Sequence, residues 1–171
     1  CQGPRKNTAI INMSRIIHVN ACDPQSYSNA EVEAGLQLIA IIDFLQSFVP
    51  GFQNAYMIES SSSLGVRESR RLIGDYVLTG RDVISCRTFA DSVAYGSYII
   101  DIHDPCGKRM AIGGQVQKDY YAIPYRCLIT AKVPNLGTAG RSISADHVAT
   151  SSTRIQGTAM LTGQAIGTAA A

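Results

Sequence analysis

The stretch "TAMLTGQAIGTAAA" (158–171) limits the folds open to this chain more than any other. Ala159, Gly163, Gly167 and Ala171 recur every four residues. On a helix they share one face, and that face carries almost no side chain. Each glycine inside a helix costs about 1 kcal/mol relative to Ala, so a helix that keeps several needs another reason for them. Either a backbone or a bound group approaches that face closely, or the helix packs tightly on a neighbour. Composition leaves both readings open.

The 171 residues, 46% of them hydrophobic, give the length and apolar content of one ordinary domain with a sizeable core. Charged residues make up 16% of the chain and the net charge is +2. No basic stripe results, which argues against nucleic acid as a partner. The most apolar run, "LQLIAIIDFLQSFV" (36–49), is interrupted by Asp43 and is too short to cross a bilayer. The five cysteines, at 1, 22, 86, 106 and 127, are scattered, with no CxxC pair and no Cys/His spacing that suits zinc. Reduced, mostly buried thiols and a cytoplasmic location are the expectation, and no metal site is expected. "NMS" (12–14) reads as a background sequon. The abrupt start at "CQGPRKNTAIINMSR" suggests a piece of something longer.

Along the chain, 8–19 is β-branched enough for one or two strands. Ser28 with Glu31 resembles a capping box for an amphipathic helix over 30–48, which Pro50-Gly51 stops. "AYMIES" (55–60) and "RRLIGDYVL" (70–78) read as strands. Thr79 and Asp82 open a short helix, and 87–96 offers another. "SYIIDIH" (97–103) alternates as a strand, "DPCGK" (104–108) turns, and 109–118 is a loop or hairpin. Residues 119–130 return as a strand with Pro124 at an edge or bend, 135–147 form a short buried strand running into a Gly-Arg loop, and 152–171 form the Gly/Ala helix. The pattern is mixed α and β in a single unit.

A strand, a glycine turn and a helix poor in side chains suggest a cofactor site, because backbone N–H groups at a helix start can reach a bound anion. The closing stretch "NLGTAGRSISADHVATSSTRIQGTAMLTGQAIGTAAA" (135–171) resembles the end of a family of bacterial FAD-dependent oxidoreductases. That family closes on a strand, an Ala-Gly-Arg turn and a Gly-Gln-Ala-x-Gly-Thr-Ala helix. Five earlier blocks are similar to the same family in the same order: "DPQSYSNAEVEAG" (23–35), "FVPGFQNAYMIES" (48–60), "GVRESRRLIGDYVLT" (65–79), "GSYIIDIHDPCGK" (96–108) and "YAIPYRCLI" (121–129). The resemblance spans nearly the whole chain.

It implies the two-dinucleotide-binding flavoprotein fold, with an N-terminal βαβ unit whose GxGxxG turn holds the ADP half of FAD. This chain contains no GxGxxG; "GTAG" (137–140) and "IGG" (112–114) do not replace it. The expected fold is therefore α+β or α/β, as the C-terminal segment of a flavoprotein. Residues 1–134 would be mainly the substrate-facing region, and 135–171 would return to the FAD-binding domain. By the same resemblance, Gly140, Arg141 and Ser142 would sit beside the FAD ribityl and pyrophosphate. Arg154, Gln156, Gly157 and Thr158 would lie near the pyrimidine edge of the flavin, where positive charge favours the anionic reduced ring. The bare face of the last helix would pack on the nucleotide domain.

On the substrate side, hydride transfer from a carbon bearing OH or NH requires a base for the heteroatom proton. His103, Tyr125 and His147 are candidates, with Arg126 to fix a carboxylate. Each could equally be a structural hydrogen-bonding or bracing residue. "RESRR" (67–71) is a basic cluster that could face solvent, touch ligand or build an ion-pair network. The reading is part of an FAD-dependent oxidoreductase acting on a small molecule, incomplete alone and partnered by an N-terminal FAD-binding segment or a separate subunit. A truncated, non-catalytic binding or structural partner is the alternative, and self-association is open.

Overall fold

A computed structural model describes residues 2–103, 110–114 and 120–171; of His103 and residues 110–114 it describes the backbone. Two compact units divide the chain, Cys1–Val66 and Arg67–Ala171.

The first unit is built on one long helix, α1 (Pro24–Phe48). It begins six residues earlier than the sequence pattern suggests, because Asp23-Pro24 is the stronger start. The Asp23 carboxylate accepts from the N–H groups of Gln25 and Ser26, and proline is pre-set for the first helical position. Glu31, expected in a capping box with Ser28, instead accepts from the Leu64 N–H at 2.9 Å. The helix stops at Val49, ahead of Gly51, whose φ is +91°. The strands expected over 8–19 and 55–60 are absent. A β-branched stretch becomes a strand only when a neighbouring backbone pairs with it. Here Gln37 of α1 takes that place for one residue, accepting from Arg15 N–H and donating to its carbonyl. A single bridge joins Gln2 and Ala9, and Gln46 donates to the Ala55 carbonyl.

The second unit has an α+β build. α2 (Gly80–Ile84) starts at Thr79 with the capping box expected of Thr79 and Asp82. Among the described residues four short strands follow: β1 (Ser92–Gly96), β2 (Ile100–His103), β3 (Met110–Gly114) and β4 (Tyr121–Pro124). β1 pairs antiparallel with β4, Ala94 opposite Ile123 and Gly96 opposite Tyr121, while β2 pairs antiparallel with β3. Of the segment 109–118, expected as a loop or hairpin, residues 110–114 form β3, while its remaining residues and the expected turn at 104–108 lie outside the described residues. Residues 87–96 do not form the expected helix. Their last five residues are β1, because Gly96 packs against the Tyr121 ring; a Cβ at Gly96 would meet the phenol carbon and oxygen at 2.4 Å.

Residues 70–78 bend at Asp75-Tyr76 and bond alternately to two neighbours, so they make one parallel bridge, Leu78 to Ala145, instead of the expected strand. Leu72 and Leu78 donate to Ser142 and Ser144, whereas Asp75 and Tyr76 donate to Ile129 and Arg126. Gly74 lies between these segments, where a Cβ would come within 2.9 Å of two carbonyl oxygens. The strand expected over 119–130 ends at Pro124 and tightens into a 3-10 turn, Tyr125–Cys127. The strand expected over 135–147 is likewise reduced to bridges at Gly137 and Ala145, with a 3-10 turn between them at Gly140–Ser142.

The helix expected over 152–171 is observed as α4 (Gln156–Ala170); residues 152 and 153 instead close a separate helix, α3 (His147–Thr153), with the break at Arg154-Ile155. Asp146 accounts for the extra start. One of its carboxylate oxygens accepts from Ala149 N–H at the head of α3, and the other accepts from Gly80 N–H at the head of α2. Leu78, Val83, Ile100, Tyr121, Ile123, Leu128 and Ile143 form the buried core of this unit.

Candidate functional site

The geometry of interest gathers around the break between α3 and α4. Gly140 holds φ +63°, a conformation that glycine adopts freely, and donates its N–H to Thr162 Oγ1 on α4 at 2.9 Å. A Cβ there would stand 3.5 Å from the Ala159 Cβ, so the turn is laid against the start of the small-residue face. Arg141 and Ser142 follow on the exposed side of the turn. Elsewhere on α4 the situation differs. A Cβ added at Gly157, Gly163 or Gly167 would meet nothing within 4 Å.

α4 opens at Ile155, which has no side chain able to cap it, and Gln156 and Gly157 are exposed. Thr158 is buried beside Tyr121, whose hydroxyl is 2.7 Å from Ser152 Oγ; Ser152 in turn donates to the Tyr98 carbonyl. Burial pushes the Tyr121 phenol up to about 12, with the Ser152 and Thr158 hydrogen bonds pulling the other way. Arg154, at the break itself, donates to the Asp101 carbonyl at 2.8 Å and reaches the Asp101 carboxylate at 3.4 Å. Its pKa is lowered by burial and by the nearby Arg67, with Asp101 opposing both. Arg67 also pairs with Asp101, at 3.6 Å.

A second group of side chains lies on α3. His147 Nδ1 stands 2.6 and 3.0 Å from the two oxygens of Glu68, and Arg71 is 3.5 Å from Glu68 and donates to Thr150 Oγ1 at 2.9 Å. The "RESRR" cluster thus supplies Arg67, Glu68 and Arg71 to a charged network within the second unit. Asp101 and Glu68, which hold Arg154 and His147, were not singled out from the sequence. Both lie inside stretches that drew attention for other residues, "IDIHD" and "RESRR".

The remaining substrate-side candidates are elsewhere. Arg126 is clamped by Asp91 through two guanidinium nitrogens, at 2.9 and 3.2 Å, and its guanidinium lies 5.2 Å from the centre of the Tyr76 ring. This bond holds the Asp91 carboxyl below the usual carboxylate range and raises Arg126. Tyr125 packs partly buried against the core. The His103 backbone ends β2 opposite Met110, and its side chain lies outside the described residues. Among the described residues no group of three His, Cys, Asp or Glu could hold a metal ion, and no helix is long and apolar enough to cross a membrane. Cys86 and Cys127 are buried, whereas Cys22, expected among mostly buried thiols, is exposed.

A family described as FAD dependent oxidoreductase matches residues 3–171. The chain belongs to that family. No curated protein and no solved structure matches it. As an FAD dependent oxidoreductase it takes FAD as cofactor, and the residues around the α3–α4 break fit such a group. An uncapped helix start offers unused N–H donors, and Gly157 leaves the space before them open. The Thr153 hydroxyl at the end of α3 is buried with no hydrogen-bond partner. Backbone donors beside a guanidinium would suit the acceptor-rich edge of a flavin.

Proposed function

We propose that this chain supplies the C-terminal part of an oxidoreductase in which a hydride passes between a small organic substrate and FAD. The observation that carries this reading is the uncapped start of α4, faced by the Gly140 turn and flanked by Arg154. When bound, FAD supplies the two-electron acceptor. The chain's own residues bind and orient it. Gly140, Arg141 and Ser142 serve the ribityl and pyrophosphate, while Arg154, Gln156, Gly157 and Thr158 serve the pyrimidine edge. His147 accepts the proton of the substrate heteroatom, with His103 and Tyr125 as further candidates.

Arg126 would have to leave Asp91 to bind a substrate carboxylate, which makes it the weaker choice for that role. Residues 1–134 face mainly the substrate, and 135–171 return to the FAD-binding region. The GxGxxG unit for the ADP half comes from further residues or a separate polypeptide, because the chain carries no such turn. The visible spectrum of native material containing this chain tests the reading. Flavin absorption bands are expected; a sample that is colourless and stays so after addition of FAD overturns it.

A further inference from the structure

The shortest contact between ionisable side chains in this region joins Glu68 to His147, and it does so through Nδ1. An ionised carboxylate only accepts hydrogen bonds, so a neutral imidazole facing it must carry its proton on Nδ1. The lone pair is then left on Nε2. We propose that Glu68 is the positioning residue of a proton-accepting dyad, holding His147 in the Nδ1–H tautomer so that Nε2 receives the heteroatom proton of the substrate. This rests on the reading of His147 as the proton acceptor.

The surroundings support a fixed dyad. Arg71 approaches Glu68 Oε2 at 3.5 Å and donates to Thr150 Oγ1, which in turn donates to the Asp146 carbonyl. Thr150 lies three residues after His147 on α3, so the carboxylate is tethered to the helix face that carries the imidazole. Exposure is divided to match, 22% for the Glu68 side chain and 61% for His147. The orienting group is sheltered and the ring stays accessible. Asp146, the acidic neighbour in sequence, does not compete, because both its oxygens accept backbone N–H groups.

In the reaction the substrate C–H hydrogen would leave with both bonding electrons as a hydride, for which bound FAD would be the acceptor, while the O–H or N–H bond breaks and its pair closes the new C=O or C=N bond. The released proton forms the Nε2–H bond. Glu68 keeps its negative charge throughout and stabilises the imidazolium through Nδ1–H.

Nitrogen NMR of the histidine rings in the full chain, recorded with the rings neutral and without substrate, tests the dyad. His147, assigned by the signal lost in His147→Gln, is expected mainly as the Nδ1–H form. Glu68→Ala should return most of the population to the Nε2–H form, and Glu68→Gln should restore Nδ1–H through its amide oxygen. A wild-type ring mainly in the Nε2–H form overturns the proposal whether or not either variant folds, as does a tautomer unchanged in Glu68→Ala. Nε2–H in a sample with flavin bands sinks the dyad alone. A colourless sample whose His147 is Nδ1–H instead sinks the hydride-transfer reading, and with it the source of the proton.

Discussion

Asp82 shows how one side chain can join several elements. One of its oxygens accepts from Thr79 N–H, Thr79 Oγ1 and the Tyr76 hydroxyl, and the other accepts from Arg87 at 3.1 Å. Burial pushes its pKa up, but the hydrogen bonds from Thr79, Tyr76 and Arg87 outweigh that and hold it below the ordinary value of 3.8. The stability it contributes is therefore complete above the unfolded pKa and lost as pH falls through the lower folded value. Asp82→Asn should cost about 2 kcal/mol in urea unfolding at neutral pH, the scale of losing a hydrogen bond to a charged group, and should flatten the acid limb of the stability curve. Tyr121 works in the opposite pH direction. Its phenol titrates near 10 when unfolded and at about 12 when folded, so the folded state holds a proton that the unfolded state loses. Stability should fall by roughly 2–3 kcal/mol across that window, and Tyr121→Phe should remove this part of the loss. Cys127, also pushed up to about 12 by burial, adds its own loss in both proteins from near 9 upward. Unfolding midpoints of the two proteins between pH 9 and 12 check the difference.

Among elements, two kinds of glycine are separated by what lies beside them. At Gly80 an added Cβ would fall 2.4 and 2.6 Å from two carbons of Val148, which places α2 against α3 with no room for a side chain. Gly80→Ala should destabilise the chain by about 1–3 kcal/mol. Gly163 and Gly167 have open space, so Gly→Ala at either should stabilise α4 by roughly 0.5–1 kcal/mol through helix propensity alone. Urea midpoints measured by circular dichroism should move in opposite directions at the two places. The small-residue pattern of α4 was visible in the sequence, but its division into a covered start at Ala159 and an open remainder was not. Nor was the break at Arg154: the sequence reads as one helix from 152 onward, whereas the capping by Asp146 gives 147–153 a helix of its own. The positions of the Gly140 turn and the α4 start were legible as a motif. Glu68 and Asp101 were not, because pairing across 79 and 53 residues leaves no local pattern.

For the whole molecule, the buried cluster lies in the unit Arg67–Ala171, whereas α1 in the unit Cys1–Val66 buries only Ala30 and exposes Val32, Leu36, Ile39 and Phe48. Local opening free energy follows buried apolar contact. Hydrogen exchange of the full chain should show strong protection in β1, β4 and α3, and faster exchange in α1. Equal protection in both units would contradict this distribution of the core.

The sequence by itself determined the local chemistry: the Thr79–Asp82 capping box, the stop at Pro50-Gly51, the strand within 97–103, the glycine turn, and a family membership carried by ordered motifs along the chain. Those features depend on residues a few positions apart, where spacing and side-chain type suffice. Tertiary structure alone decided which β-branched stretches became strands, because a strand needs a run of partner backbone: 8–19 finds a single bridge at Ala9, while 92–96 finds Tyr121–Pro124. It also decided which charges meet. A carboxylate beside an imidazole is a property of packed segments, and packing depends on contacts that no short window of sequence contains.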